Sequence, residues 1–295
     1  MNKTSPTILF FGTEDYSLIV LSRLIEAGYS VGAVVTKPDT PKGRGHKLTA
    51  PSVKTYALSH NIPVLQPNKL KDIINDIKQF DLPVGILVAY GKIIPQSVIE
   101  LFNPGIINIH PSLLPQYRGP SPVEATILRR DRKTGVSIMQ LSKEMDAGPI
   151  YTQIPYALDF TETKPELYNT LFTIGANVLV QKLPEILSGE ISPEPQNNNY
   201  ATYCPLLSKE DGIIDPRTTT PGEAEAKVRA YLGFPRTRLS VGGYTVIVTK
   251  AHGAMTKKTP LDIQCSNGAY LSIDELVAPS GKTMRASEFI RGYKL

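Results

Sequence analysis

The 295-residue sequence predicts an α/β protein with a doubly wound, mostly parallel N-terminal sheet and a smaller β-rich, barrel-like C-terminal domain. Three observations carry this. Short apolar strand runs alternate with helix-period segments through the first half. Residues 188–199 are rich in Pro, Asn, Ser and Glu and lack apolar periodicity, as a linker does. Beyond them the pattern turns to short strands separated by tight-turn signals. The expected division is therefore a domain over 1–187, a linker over 188–205 and a domain over 206–295.

The elements follow in order. Residues 7–11 are an apolar strand run that ends at Gly12-Thr13. Tyr16, Ile19, Val20, Arg23, Leu24 and Ala27 recur at helical spacing, and Gly28 can close that helix in a left-handed conformation. Strands are expected at 31–35 and 64–65, with helices over 51–60 and 70–80. Residues 84–89 are continuously apolar, as in a strand buried on both faces. A short helix over 95–102 and a strand over 106–110 come next. Ser121-Pro122-Val123-Glu124 then opens a helix: Ser121 can cap it, Pro122 suits the first turn and Glu124 completes a capping box. A strand over 135–141 and a long helix over 166–187 finish the first domain. In the second, Thr220-Pro221-Gly222-Glu223 repeats the capping-box pattern and starts a helix to about residue 232. Gly242-Gly243 and Asn267-Gly268 then mark hairpin turns between short strands.

Composition narrows the function classes. With 41% hydrophobic and 20% charged residues the chain can build two cores, and no apolar run approaches the ~20 residues that span a bilayer. The N-terminus runs straight into Ile8-Leu9-Phe10-Phe11-Gly12, without the apolar core and cleavage site of a signal peptide, so a cytoplasmic location is expected. Two cysteines, Cys204 and Cys265, can form neither a disulfide framework nor a four-cysteine zinc site; two buried thiols are expected. The net charge of +5 is unevenly distributed. Residues 206–295 hold 13 Lys/Arg against 9 Asp/Glu, and the rest of the chain 19 against 18. That asymmetry suits a polyanionic partner, and by itself also a basic surface kept for solubility.

The chemistry concentrates around Gly105-Ile106-Ile107-Asn108-Ile109-His110-Pro111. Strand alternation places Asn108 and His110 on one face, at the C-terminal end of a strand in a parallel sheet, where open α/β folds bind ligands. Pro111 helps to end the strand. Alone, an Asn-x-His pair also describes a core histidine bonded to a structural asparagine. The following loop, Ser112-Leu113-Leu114-Pro115-Gln116-Tyr117-Arg118-Gly119-Pro120, exposes leucines without reason if it is a tether, and is stiff enough to be a binding wall. Met145-Asp146-Ala147-Gly148-Pro149 adds a carboxylate in a turn, which on its own reads as a turn former.

Asn-x-His-x-Ser-Leu-Leu-Pro-x-Tyr-Arg-Gly followed by Asp-x-Gly-Pro-Ile resembles the folate-dependent formyltransferase family. Phe11-Gly12-Thr13, Val88-Ala89-Tyr90-Gly91, the loop from Lys42 through Gly43-Arg44-Gly45 to Lys47 and Leu48, and Leu207-Ser208-Lys209-Glu210-Asp211 extend the match over nearly the whole chain. The resemblance implies a Rossmann-like catalytic domain that moves the formyl group of 10-formyltetrahydrofolate onto the amino group of methionyl initiator tRNA. It implies that Asn108 and a charged His110 donate to the oxyanion and that Asp146 favours the charged ring and carries the amine's proton away. It places Ser112, Leu113, Leu114 and Pro115 beside the folate and Leu87, Val88, Ala89 and Tyr90 around the pterin. Neither a metal nor a covalent intermediate is required, and no membrane or obligate protein partner is expected.

The acceptor is read from basic residues. Lys37, Lys42, Arg44 and Lys47 face the single acid Asp39, and Gly43 and Gly45 free the backbone around Arg44. Charge alone describes a solvated loop; the resemblance makes it the loop that enters the acceptor stem. The excess positive charge of the second domain makes Lys250 an expected tRNA contact there. With no tryptophan, aromatic contacts to the tRNA fall to Tyr, Phe and His. A small amine acceptor, an amino sugar nucleotide or glycinamide ribonucleotide, keeps the chemistry but needs neither the basic loop nor a basic second domain. A non-catalytic RNA-binding protein leaves Asn108, His110 and Asp146 unexplained. A dinucleotide oxidoreductase needs a Gly-x-Gly-x-x-Gly cradle where Gly12-Thr13-Glu14-Asp15 stands.

Overall fold

The structure is a computed structural model that describes residues 6–42 and 47–295. The chain forms two compact units. One comprises residues 1–120, 134–156 and 168–203, and the other 121–133, 157–167 and 204–295. Among the described residues no helix is long and apolar enough to cross a membrane.

The first unit is built on a seven-stranded sheet. In chain order its strands are β1 (Ile8–Gly12), β2 (Val31–Val35), β5 (Val64–Leu65), β6 (Val84–Val88), β7 (Ile106–His110), β8 (Lys133–Gln140) and β9 (Ile150–Ala157). A separate two-stranded hairpin, β3 (Thr40–Lys42) and β4 (Lys47–Thr49), lies between β2 and β5 in the chain. The sheet order is β5-β2-β1-β6-β7-β8-β9. Pairing is parallel from β5 to β7, and β8 joins β7 antiparallel. The doubly wound, mostly parallel sheet expected from the alternation is present. Ile8, Leu9, Phe10 and Phe11 are at most 1% exposed, as a central parallel strand requires.

Helix α1 (Ser17–Glu26) buries Val20, Leu21 and Leu24, and Gly28 follows it at φ +83. Helices α2 (Ser52–Ser59) and α4 (Gln96–Ile99) match their expected positions. The helix expected over 70–80 is instead a 3-10 turn, Leu70–Ile73, and one α-turn, α3 (Ile74–Ile77). The β-branched isoleucines together with Asn75 and Asp76 are weak helix formers, and the segment is held by the burial of Leu70, Ile73 and Ile77 and by Asp72 accepting from Lys69 N. Strand β9 was not evident in the sequence, because Pro155 interrupts its pattern; at the sheet edge a proline is tolerated. The long helix α6 (Lys164–Ser188) brings Gly175 against Ile109 of β7 and Val136 of β8, where a Cβ would lie 2.7 Å from Ile109 Cγ2.

The second unit contains α5 (Pro122–Arg129), α7 (Pro221–Ala230), α8 (Ala286–Tyr293) and five antiparallel strands. These are β10 (Thr237–Val241), β11 (Tyr244–Ala254), β12 (Asp262–Gln264), β13 (Tyr270–Val277) and β14 (Thr283–Arg285). Order β10-β11-β13-β12, with β14 on β13, gives a sheet curled into a half-barrel. Gly242 and Gly243, at φ +55 and +81, make the tight turn between β10 and β11. Val228, Val246, Val248, Leu271, Leu276 and Phe289 form its core. Thr220 and Glu223 close the expected capping box, Thr220 Oγ1 accepting from Glu223 N at 3.3 Å and Glu223 Oε2 from Thr220 N at 2.8 Å. The box expected at Ser121 does not form. α5 starts there, but the Ser121 side chain makes no cap bond; its hydroxyl is oriented by donating to Pro205 O at 2.6 Å, and Glu124 pairs with Lys164 at 3.4 Å. Cys204 and Cys265 are both buried and are not joined in a disulfide, as expected.

Asp262 makes this unit acid-sensitive. Burial alone would raise its carboxyl, but hydrogen bonds from Ser272, Lys258 and Thr259 outweigh it and hold the pKa at about 2, below the usual 3.8. The bonds therefore stabilise the fold above the ordinary carboxylate range, and that stability is lost as pH falls toward about 2. Asp262→Asn should lower the unfolding free energy at neutral pH by roughly 2 kcal/mol. Urea titrations at intervals from pH 6 downward should show the difference shrinking below pH 4; a pH-independent difference would contradict this role.

Candidate active site

β7 sets the site. Asn108 and His110, each 5% exposed, alternate with Ile107 and Ile109. In register, Asn108 lies between Leu87 of β6 and Met139 of β8, and His110 lies opposite Ser137. The Asn108 side chain makes no hydrogen bond to the described residues.

Both ring nitrogens of His110 face acceptors. Nε2 lies 2.9 Å from Tyr117 O, and a carbonyl can only accept, so Nε2 carries hydrogen. Nδ1 faces Asp146 Oδ1 at 3.8 Å, longer than a hydrogen bond. The other carboxylate oxygen, Oδ2, accepts from Gly119 N at 2.8 Å. Asp146 itself sits in the left-handed region at φ +49, and a Cβ on the neighbouring Gly148 would overlap Gln140 O. The turn is thus tightly specified. The structure brings Asp146 to His110 from 36 residues along the chain.

The loop after β7 is held from beneath by Ser137. Its hydroxyl donates to Ser112 O at 2.7 Å and accepts from Leu114 N at 3.1 Å. Gln153 Nε2 donates to the same hydroxyl and to Leu114 O, both at 2.8 Å. Ser112 Oγ donates to Gln116 O at 2.6 Å. The stretch Ser112, Leu113, Leu114 and Pro115 is a fixed wall. Sequence reasoning missed Ser137 and Gln153. The available signal was one serine within the apolar run Val136-Ser137-Ile138-Met139.

On the other side, β6 ends at Val88 and the chain turns at Ala89, φ +45. Ala89 O accepts from Glu14 N at 3.3 Å and Tyr90 O from Thr13 Oγ1 at 3.1 Å. The Tyr90 ring stands edge-on to Phe11 at 5.9 Å, and burial pushes its hydroxyl up to about 12. Leu87, Val88, Ala89 and Tyr90 therefore form a second fixed edge.

Of the expected basic residues, Lys42 and Lys47 pair in the β3–β4 hairpin, and Lys47 is exposed. Arg44, between them, lies outside the described residues. Asp39 anchors the hairpin base, accepting from Lys54 Nζ at 2.9 Å and Gln66 Nε2 at 2.8 Å, a role the sequence did not reveal. The bonds from Gln66 and then Lys54 hold its carboxyl below the usual range. Lys250 stands exposed on β11 of the second unit, at a bulge opposite Glu275. Among the described residues no group of three or more His, Cys, Asp or Glu side chains is disposed to hold a metal ion.

Comparison with known proteins places this chain in a family. Residues 7–183 match the Formyl transferase family, and residues 206–294 match the Formyl transferase C-terminal domain. A methionyl-tRNA formyltransferase of Myxococcus xanthus is 37% identical over 98% of this chain and 96% of its own. One of Chloroflexus aurantiacus is 45% identical over 70% of this chain and 68% of its own. The solved structure of an N-formyltransferase from Helicobacter canadensis, in complex with folinic acid and dTDP-3-aminofucose, superposes with TM-score 0.70 at 16% identity, covering 91% of this chain and 98% of that one. HypX from Aquifex aeolicus in complex with tetrahydrofolic acid also gives 0.70, at 18% identity, covering 97% and 47%. At those identities the two structures show a shared fold. The sequence matches span both segments of the chain, and on them it belongs to the methionyl-tRNA formyltransferase family.

Proposed function

We infer that this protein transfers the formyl group of 10-formyltetrahydrofolate to the free amino group of methionyl initiator tRNA, giving N-formylmethionyl-tRNA for translation initiation in the cytoplasm. The single observation that carries the chemistry is a buried histidine flanked by a carbonyl and a carboxylate, on the same strand face as an unpartnered amide. The acceptor follows from the kinship to methionyl-tRNA formyltransferases over nearly the full chain. A small amine would leave the basic hairpin and the basic second segment without a task. Residues 1–187 would carry the chemistry and 206–295 hold tRNA, joined by 188–205.

The residues present fit a formyl donor. Asn108, 5% exposed and with no side-chain hydrogen bond among the described residues, offers an amide donor suited to an acyl oxygen. Leu87, Val88, Ala89 and Tyr90 would hold the pterin, and Ser112, Leu113, Leu114 and Pro115 the rest of the folate, which supplies an acyl carbon at the formate level. Asn108 Nδ2–H donates to the formyl oxygen as negative charge grows there. His110 Nε2–H is engaged by Tyr117, so Nδ1 is the nitrogen free to bear the second proton and add its charge. Asp146 would accept the proton released by the attacking amine; as the tetrahedral adduct collapses, the bond from the formyl carbon to the folate N10 breaks and N10 takes up that proton, so tetrahydrofolate leaves as a neutral amine. At 3.8 Å from Asp146 Oδ1, Nδ1 is not tied into a hydrogen bond with the carboxylate.

Replacing Asn108, His110 or Asp146 by Ala should lower turnover by on the order of 10²-fold each, with folate binding retained. The assay offers charged initiator tRNA, charged elongator tRNA and glycinamide ribonucleotide as competing acceptors. Near-normal turnover by His110→Ala would remove the site, and a preference for glycinamide ribonucleotide would remove the acceptor.

Recognition would fall to Lys42, Arg44 and Lys47 of the basic segment and to Lys250 on the second unit. Arg44→Ala should narrow the discrimination between initiator and elongator tRNA, because a single glycine-flanked arginine can be placed against particular groups of the acceptor stem. Lys250→Ala should weaken both tRNAs about equally and flatten the salt dependence of binding. Catalytic efficiency on both tRNAs at two salt concentrations separates the two effects. Unchanged discrimination by Arg44→Ala would reduce the hairpin to a solvated basic turn.

A further inference from the structure

The polar tract read as part of a linker carries a residue aimed at the site. Ile150 and Glu194 exchange two backbone hydrogen bonds at 2.8 Å, which brings Gln196 alongside the turn that holds Asp146. The Gln196 amide is fully engaged. Its Oε1 accepts from Arg118 Nε at 3.0 Å and Nη2 at 2.7 Å, a two-pronged bond from a guanidinium only 2% exposed. Because arginine offers donors alone, the amide orientation is set, and Nε2 must point the other way. There it donates to Asp146 O at 2.8 Å and to Gly148 O at 2.7 Å.

We propose that Gln196 is a positioning residue for Asp146, fixing the left-handed turn at 146–148 so that its carboxylate stands against His110. The same tract also holds the other side of the ring. Thr202 Oγ1 accepts from Tyr117 N at 2.9 Å and Thr202 O from Arg118 N at 2.9 Å, steadying the peptide whose carbonyl receives His110 Nε2. Both acceptors of the histidine are therefore set by one segment, 196–202. Arg118, whose side chain also reaches Asn198 and Tyr203, is the link between them. This rests on the catalytic reading above.

Two substitutions separate positioning from mere anchorage of Arg118. Gln196→Ala removes both functions. Gln196→Glu keeps the acceptor for Arg118, which holds it ionised, but replaces the Nε2 donor by an oxygen facing two carbonyls. If Gln196 positions Asp146, both variants should lower kcat by about tenfold with KM for tRNA and folate changed less than about twofold. In an Asp146→Asn background neither should cost anything further, since residues acting through one group are not additive. The Gly119 amide, which donates to the Asp146 carboxylate, should exchange faster with solvent in both variants, while the Ile109 amide in β7 should not. A wild-type kcat and a wild-type Gly119 rate in Gln196→Glu would overturn the proposal and leave Gln196 an anchor for Arg118. So would losses that add in the Asp146→Asn background. The amide measurement needs no turnover, so it decides the point even if the acceptor proves to be another amine; absence of formylation by the wild type would instead sink the catalytic reading.

Discussion

A histidine that is 5% exposed between a carbonyl and a carboxylate is the constraint on which the first unit depends. A polar ring in such a position is costly unless acceptors face its nitrogens. Meeting that condition requires three separated stretches of chain. The end of β7 supplies the ring, residues 117–119 supply the carbonyl and the amide that steadies the carboxylate, and residues 146–148 supply the carboxylate. Ser137 and Gln153 stiffen the first loop from below, and 196–202 ties it to the Asp146 turn from the side. The sheet contributes what a parallel arrangement offers, a strand end with two loops diverging from it.

The parts of the fold set by local chemistry were legible. The continuous apolar run at 84–88, the alternating apolar positions of 106–110, the Gly242-Gly243 turn and the Thr220–Glu223 box are short-range signals, and each appears where expected. What was not legible depended on contacts distant in sequence. Ser121 has a capping residue's sequence context, yet its hydroxyl goes to Pro205, 84 residues away. Residues 70–77 have a helical pattern of apolar positions but too little intrinsic propensity to form more than two irregular turns. Strand β9 depends on its edge position, which no local pattern encodes.

The candidate site divides the same way. Strand alternation put Asn108 and His110 on one face, and the family resemblance supplied Asp146; the geometry then adds which nitrogen of the ring is committed. Gln196 and Thr202 sit in a tract of Pro, Asn and Glu with no periodicity, so composition alone describes it as a tether. Its order comes from backbone pairing with Ile150 and from the buried Arg118, neither of which has a local signature. Asp39 is a similar case. It looked like a lone acid in a basic loop, and it is the anchor that Lys54 and Gln66 hold at the hairpin base.

The central claim is that Tyr117 commits one nitrogen of His110, leaving Nδ1 to work with Asp146. The most direct test is the 15N spectrum of the His110 ring in selectively labelled protein, recorded across the pH range in which the enzyme is folded. The account predicts that Nε2 bears hydrogen throughout and shows the coupling of a hydrogen bond to Tyr117, and that any loss of a proton occurs at Nδ1. A ring that keeps hydrogen on Nδ1 and bares Nε2 would contradict it.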